Sequence, residues 1–395
     1  MKSMFLIALF LFNLAQISDI IPYSNSAAAV AVRENAVVSP QQQGFIPVQG
    51  QTLRNRMEAA IRQGRSTAGQ SKFWSAWSFD VRPGVAVDYE WRGKDGKVRS
   101  NDGWNVSFDH KVETRNLGIF LLYGAGGDTI ERVEIYNLDR QRDYSGYPVF
   151  WLGKAGNNES LNFLESLIDG QQGKRISEHG VVAIALHDDG RVGGMLKQFV
   201  GNSQNNDVRK SAVFWLGQIG GETGFLSDLV INDKENTEVR KQAAFAIGVS
   251  KDSAALSTLQ SLFQSVTDRE VKKQLVFAVS VNGNQDEALN FLINMATNER
   301  DSEVKKQAIF WLGQKAGERS LKFLGDTVNS NDADTEVQKQ AVFAISQRSK
   351  DEAVPLLINI ARTHARAEVR KQAIFWLGQT GDERAVTFFK ELLAK

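Results

Sequence analysis

The sequence contains no cysteine. Disulfides, thiolate metal sites and cysteine nucleophiles are therefore excluded. Histidine is scarce, with His110, His179, His187 and His364 widely separated. An excess of either charge is also missing: 47 Lys and Arg against 46 Asp and Glu leave a formal net charge of +1. No overall field draws the chain to nucleic acid or to an anionic membrane. There is no Gly-x-Ser-x-Gly elbow and no His-Glu-x-x-His. The one Gly-rich run, Gly124 to Thr129, lacks the Gly-Lys-Ser/Thr of a phosphate loop and reads as a hairpin turn.

What is present supports a folded protein. Apolar residues make up 42% and charged residues 24% of the 395 positions, enough apolar content to bury a core. Lys2 followed by the apolar run Met4 to Phe12, then small residues at Ser24 and Ser26 to Ala29, reads as an export signal over 1–28. The run is too short to span a bilayer, although an uncleaved anchor is the alternative. The expected location is the periplasm or the outside of a bacterial cell, with no membrane contact beyond the signal. Residues 29–50 read as a linker.

Residues 51–139 read as a short helix plus a small antiparallel β-domain of roughly five strands. Leu53, Met57, Ala60 and Ile61 share a helical stripe. Val85, Val87, Tyr89 and Trp91 alternate with Ala86, Asp88 and Glu90, the period of a strand with one buried face. Trp74, Trp77, Trp91 and Trp104 form either the core of this domain or an aromatic recognition face.

From about 140 the chain repeats itself. EVKKQAIFWLGQKAGERSLKFL at Glu303 to Leu324 returns as EVRKQAIFWLGQTGDERAVTFF at Glu368 to Phe389. One aromatic position indexes the series at Phe150, Phe214, Phe245, Phe277, Phe310, Phe343 and Phe375, with steps of 31, 32, 33, 33 and 32 from Phe214 onward. Phe150 lies two such steps before Phe214, with Val182 midway as a degenerate copy, giving about eight units. In each unit a capping residue such as Thr237, Ser302 or Thr335 precedes an acidic residue and a helix, and a second amphipathic segment follows. Val304, Ala308, Trp311 and Leu312 fall on one side of the first helix. Two helices cannot close a core alone, so neighbouring units must stack. The expected fold is an α-solenoid of helical repeats over 140–395, after the β-domain, with the segment from Ala385 to Lys395 as its terminal cap.

This grammar resembles the HEAT-like repeats of the phycobilisome-lyase class. The resemblance covers about two thirds of the chain and implies that the first helix of each unit lines the concave side. It carries no single activity, because such repeats serve lyase subunits, hydroxylases, glycosylases and plain scaffolds. The di-iron branch carries His-Glu metal ligands, and here only Glu178-His179 comes near, reversed and single. A bilin lyase would not be exported, and a glycosylase groove would be strongly basic.

The candidate partner-binding residues are a stripe of Lys and Phe four apart: Lys210 and Phe214, Lys241 and Phe245, Lys273 and Phe277, Lys306 and Phe310, Lys339 and Phe343, Lys371 and Phe375. Residues at i and i+4 are neighbours on a helix. A cation beside an aromatic edge suits a peptide or acidic partner, and the alternative is that each Phe packs on the next unit while Lys is solvated. The basic residue before each Lys is expected to bridge to a carboxylate of the adjacent unit, such as Glu238, Glu270, Glu303 or Glu336. Trp and Ala alternate after the Phe as core. No catalytic residue, metal site or cofactor is expected. The function read here is an exported, non-enzymatic scaffold with a protein or peptide partner, its oligomeric state open. The alternatives are a subunit of an envelope enzyme, or a groove enzyme, lyase-like or hydrolase-like, using His179, His187 and nearby acids.

Overall fold

The computed structural model describes residues 44–67, 71–88, 90–92, 98–100, 113–169, 173–283, 285–330 and 333–394. The expected signal 1–28, the linker as far as residue 43, Tyr89, Trp104, His110 and the side chain of Trp91 lie outside the described residues. The chain divides into two compact bodies, one ending at Trp215 and one beginning at Leu216.

The N-terminal body holds β1 (Ile46–Pro47), α1 (Leu53–Thr67), β2 (Phe73–Ser78), β3 (Glu90–Arg92), β4 (Val98–Ser100), β5 (Leu117–Tyr123), β6 (Ile130–Asn137) and β7 (Val149–Lys154). Four helices follow: α2 (Asn157–Asp169), α3 (Lys174–Ala185), α4 (Val192–Asn202) and α5 (Asn206–Ile219), the last crossing into the second body. Five strands form one sheet in the order β1-β7-β2-β5-β6, and β3-β4 is a separate hairpin. The sheet is mixed, not antiparallel as expected: β5 is antiparallel to β2 and β6, but β7 runs parallel to β2 and β1.

Both faces of this sheet are covered, so its interior strand β5 is buried at all seven positions and shows no alternation. Phe73 packs under α1, where Gly64 leaves room for its ring. Trp77 donates its indole N–H to Ser160 of α2 at 2.9 Å. On the other face Trp74 joins Phe45, Phe120, Leu138 and Tyr144. Of the strand expected over 85–91, only Glu90 and Trp91 lie in one, as part of β3, and residues 85–88 belong to no named strand. Val85, Ala86, Val87 and Asp88 are all buried in an irregular segment. Thr114 ties it down by donating its N–H to Val85 O at 2.8 Å. Asp88 adopts a left-handed φ of 48° and accepts from Asn137, Arg140 and Arg142. An alternating pattern cannot distinguish a half-buried strand from a coil whose polar residue has buried partners.

The pentapeptide VFWLG occurs twice and folds in two ways. At 149–153 it is strand β7, and at 213–217 it lies inside α5. Upstream sequence decides. Pro148 holds Tyr147 extended, and the Pro148 carbonyl accepts from Trp74 N–H at 2.9 Å, which feeds the chain into the sheet. Gly153, at φ 74°, lies where the pairing of β7 with β2 shifts register, one residue before the strand ends. The second copy follows Asn205, whose side chain accepts from Asp207 N–H at 2.9 Å, and a full turn of good helix residues. Phe150 is therefore not a repeat marker, and the helical region starts at Asn157 rather than near 140.

The C-terminal body continues with α6 (Thr223–Ile231), α7 (Thr237–Gly248), α8 (Ala255–Ser265), α9 (Arg269–Val281), α10 (Gln285–Asn298), α11 (Ser302–Gln314), α12 (Glu318–Asn329), α13 (Thr335–Ser346), α14 (Lys350–Thr363), α15 (Ala367–Gln379) and α16 (Glu383–Leu393). From α7 the helices alternate as first and second members of each layer. The first helices bury Val239, Val271, Val304, Val337 and Val369 at one register position and Ile247, Val279, Leu312, Ile345 and Leu377 at another. Their caps lie one residue upstream of the expected ones: Asn236, Asp268, Asp301 and Asp334 accept from backbone N–H groups of the first turn. Asp and Asn reach that distance at least as well as Ser or Thr, which here become the first helical residue. The terminal helix α16 is not a polar cap, since Val386, Leu392 and Leu393 are exposed.

Layers meet in two alternating ways. A Cβ added at Gly248 would lie 2.7 Å from Ala278 O, and one at Gly313 would lie 2.8 Å from Ala344 Cβ. At Ser280 and Ser346 the glycine is replaced, and the next layer carries Trp311 or Trp376 instead of Ala. Gly378 meets nothing within 4 Å. Gly248→Ala is expected to destabilise the protein by roughly 1–3 kcal/mol through overpacking against backbone. Gly378→Ala is expected to stabilise by up to about 1 kcal/mol through helix propensity alone. Urea unfolding of the two variants checks the contrast, and equal stabilities would contradict the close contact between layers.

Candidate functional site

Each first helix of the C-terminal body leaves one stripe uncovered, and the same residue types occupy it in every layer. In α7 the stripe holds Glu238, Lys241, Gln242 and Phe245. The equivalents are Glu270, Lys273, Gln274 and Phe277 in α9, and Glu303, Lys306, Gln307 and Phe310 in α11. Glu336, Lys339, Gln340 and Phe343 follow in α13, and Glu368, Lys371, Gln372 and Phe375 in α15. The spacing of three, four and seven residues keeps these side chains on one face. Phe245, Phe277, Phe310 and Phe343 are half-buried, and Phe375 is exposed. In the N-terminal body, Lys210 and Phe214 of α5 are half-buried in the same way.

The phenylalanines form a column. Phe245 stacks on Phe277 with centroids 5.7 Å apart and planes 1° from parallel, and Phe310 stacks on Phe343 at 6.1 Å and 12°. These parallel stacks occur where glycine lets the layers close. Where serine replaces it, tryptophan takes the contact: Phe277 meets Trp311 and Phe343 meets Trp376, each at 4.9 Å. Each tryptophan touches the Phe of its own helix at 5.0 Å, so the column is continuous from Phe245 to Phe375. The phenylalanines thus pack on their neighbours, as the alternative drawn from the sequence has it, and all but the exposed Phe375 stay half-buried.

The lysines other than Lys371, which is exposed, are paired within their own helices. Lys241 bridges Glu238 at 2.9 Å, Lys273 bridges Glu270 at 3.2 Å, Lys306 bridges Glu303, and Lys339 bridges Glu336 at 2.9 Å, all three residues apart on one helix. Lys210 bridges Asp207 at 2.9 Å. Such pairs stabilise a helix by only about 0.2–0.5 kcal/mol, but each leaves its row with no net charge. These glutamates are therefore not the partners of the preceding basic residue, although Arg240 does reach a carboxylate of the adjacent unit, Asp268, at 3.8 Å. That residue turns instead to the carbonyls left unpaired at the end of the previous helix. Arg209 donates to Val200 O at 2.7 Å, Arg240 to Val230 O at 3.0 Å, and the variant Gln338 to Val328 O at 2.8 Å. Lys272 differs, bridging the buried Glu299 at 2.9 Å. The ties between layers run through the caps, as when Arg269 bridges Asp301 at 2.6 Å.

The family described as HEAT repeats matches residues 194–280, 223–313 and 327–395. These helices are HEAT repeats. No curated protein sequence matches the chain. Human deoxyhypusine hydroxylase in complex with glycerol is 15% identical, with 60% of this chain and 90% of that one covered at a TM-score of 0.29. The complex of CpcE and CpcF of phycocyanin lyase from Nostoc sp. PCC7120 is 16% identical over 57% and 92% at 0.29, and lipovitellin is 13% identical over 69% and 35% at 0.41. These likenesses say nothing of what the HEAT repeats here bind.

Outside the matched repeats the N-terminal body does not assemble the groove enzyme's residues. His179 Nδ1 pairs with Val133 O of β6. His187 is 2% exposed, with Nδ1 at 2.7 Å from Ala183 O and Nε2 at 2.8 Å from Ser160 Oγ. Ser160 also accepts from Trp77, so a neutral imidazole satisfies the whole chain of hydrogen bonds. Among the described residues no group of three His, Asp or Glu is placed to hold a metal. Trp74 and Trp77 are core, not a recognition face. A shallow cavity of about 490 Å³ runs past Asp80, Arg115, Lys154 and Asp188, but Lys154 and Asp80 close on each other at 2.6 Å.

Burial pushes the His187 imidazole down to about 4, opposed by its hydrogen bond to Ala183 and by Asp189 and Asp80. The unfolded chain, with an ordinary histidine value near 6.5, takes the proton first as pH falls. The stabilisation is thus complete above about pH 6.5 and is lost down to about pH 4, by roughly 3 kcal/mol. Urea unfolding across this window should show a steeper loss in the wild type than in His187→Gln, and parallel slopes would refute the assignment.

Proposed function

We propose that the chain is a non-enzymatic interaction scaffold whose partner, a protein or peptide, lies along the open face of the first helices. The contact residues are Lys241, Phe245, Lys273, Phe277, Lys306, Phe310, Lys339, Phe343, Lys371 and Phe375, with Lys210 and Phe214 as the equivalent pair of the first body. The observation that carries this reading is the column of half-buried phenylalanines. A core residue of a repeat need not keep an aromatic edge open in every layer, and an aligned apolar strip flanked by charged groups is the composition of an interaction surface. HEAT repeats as a fold are consistent with protein binding.

The proposed working location is outside the cytoplasm, resting on the apolar run Met4 to Phe12 and the small residues after it. Mass spectrometry of the protein recovered from its native host is expected to find a new N-terminus near residue 28. Recovery with Met1 still attached from the soluble cytoplasm would remove that part of the proposal.

A photo-crosslinking residue placed at Lys273 or Lys339 is expected to capture partner in the host's envelope fraction. The same residue at Lys322, on second helix α12 and 78% exposed, is expected to capture none. Capture from Lys322 alone, or from no position, would overturn the assignment of the face.

A further inference from the structure

The last described layer, α15 with α16, leaves open what the interior layers cover. In α11 Gly313 is buried, and Lys306 and Phe310 are half-buried. Their equivalents in α15, Lys371, Phe375 and Gly378, are all exposed, Phe375 at 54%. Ile374 is half-buried where Ala244, Val276, Ile309 and Val342 are buried. In α16 Leu393 is 87% exposed, whereas Val328, its counterpart in α12, is fully buried. The ion pairs open at the same place. Lys241, Lys273, Lys306 and Lys339 each bridge the glutamate three residues earlier, but neither Glu368 nor Lys371 has an ion-pair partner among the described residues.

This face is one half of an interface that the C-terminal body builds repeatedly. A Cβ added at Gly217, Gly248 or Gly313 would lie within 3 Å of Ala246, Ala278 or Ala344 of the next first helix, whereas one at Gly378 meets nothing within 4 Å. Phe310 stacks on Phe343 beside the Gly313 crossing, but the ring contact of Phe375 is with Trp376 of its own helix. A layer that keeps its stacking residues needs a cover. We infer that this end of the C-terminal body pairs with the same end of a second copy of the chain, α15 against α15 across a two-fold axis. In a copy, the alanine faces that fit a glycine are already occupied: Ala246 by Gly217, Ala278 by Gly248 and Ala344 by Gly313. Head-to-tail docking through this interface therefore has no complementary face to use. What the copy has open is the same face, and a two-fold contact requires a patch that is complementary to itself.

Shape and charge both fit an antiparallel pair. With α15 set against its copy about a point between Trp376 and Leu377, Phe375 of each lies over Gly378 of the other, a ring over the one position of the stripe without a side chain. The same register carries Lys371 to the C-terminal end of the other α15. The last carbonyls of a helix carry partial negative charge, so the unpaired ammonium is better placed there than near the N-terminus of its own helix. The open end is about 20 Å long and two helix diameters wide, a footprint on the order of 400 Å². A standard interface buries roughly 800 Å² on each partner, so the pairing is a monomer–dimer equilibrium in the micromolar range rather than an obligate assembly. It is independent of the scaffold reading: Lys371 and Phe375 belong to both, but the interior rows of the binding face take no part in it.

The test uses the full chain in analytical ultracentrifugation from about 1 to about 100 μM, the range set by an interface of this size. The mass is expected to rise from that of a monomer towards that of a dimer and no further. Gly378→Arg is expected to weaken self-association at least about tenfold, because a long side chain now stands where the two helices meet. Its thermal melt in dilute solution should not fall, since nothing within the fold lies within 4 Å of that position. The sequence has no cysteine, so a single introduced thiol reports on its own copy. Gly378→Cys treated with a short bis-maleimide is expected to give a covalent dimer, and Lys322→Cys, on the exposed side of α12, is expected to give none. A mass that stays monomeric across the range, a dimer that survives Gly378→Arg, or linking from Lys322→Cys alone would overturn the inference. Growth beyond the dimer would overturn the two-fold arrangement. Photo-capture of partner from Lys273 and Lys339 is expected to be the same in Gly378→Arg as in the wild type. Loss of capture with the dimer retained counts against the scaffold reading alone, and loss of the dimer with capture retained counts against this inference alone.

Discussion

The structure depends on the fact that no helix pair in the C-terminal body can bury its apolar side except against its neighbours. Val304, Ala308, Ile309 and Leu312 are fully buried, yet α11 and α12 supply only part of what covers them. The rest comes from the helices of the adjoining layers. Close contact requires something small at the crossing, and Gly248 and Gly313 supply it, with the next helix's backbone or Cβ within 3 Å of where a side chain would begin. The register of the aromatic column is a consequence of that crossing. Once the layers are fixed by glycine on alanine, the phenylalanines three residues earlier must lie over one another.

This is also why so much of the helical region was legible from the sequence. A constraint that recurs in every layer writes the same residues every 31 to 33 positions. The index phenylalanines could be lined up before any coordinates were known. What the pattern could not show was how a phrase reads in a different setting. VFWLG at 149–153 matches a repeat letter for letter, yet it is a strand, because Pro148 and the vacancy between β1 and β2 outweigh the intrinsic preference of five residues. The β-domain was less legible for the same reason. Coverage on both faces erases the alternation that marks a strand, and the buried Asp88 imitates it in a coil.

The candidate face was legible as a list of residues but not as chemistry. The lysines stood out because charge is conspicuous in a sequence. Their glutamate partners lie three residues earlier on the same helix, a spacing that already favours the local pair over one between layers. The glutamines do not stand out in the sequence, because a carboxamide beside a cation reads as a solvated surface residue. Only the accounting of hydrogen-bond partners separates the engaged groups from the unengaged ones. What the structure shows is an aromatic strip whose lysines, Lys371 apart, are paired with glutamates of their own helices, a surface different from the cationic stripe suggested by the spelling of the repeat.

The alternation between glycine facing alanine and serine facing tryptophan sets the grain at which this array can grow or shrink. Excising one layer after Ser280 would bring that serine opposite Ala344 and leave a hole where an indole had been. Excising two layers would bring it opposite Trp376 and restore the match. Unequal exchange within the coding sequence would thus be tolerated in double modules and resisted in single ones. The kinship between the phrases beginning at Glu303 and Glu368, two layers apart, is what duplication of such a double module would leave behind.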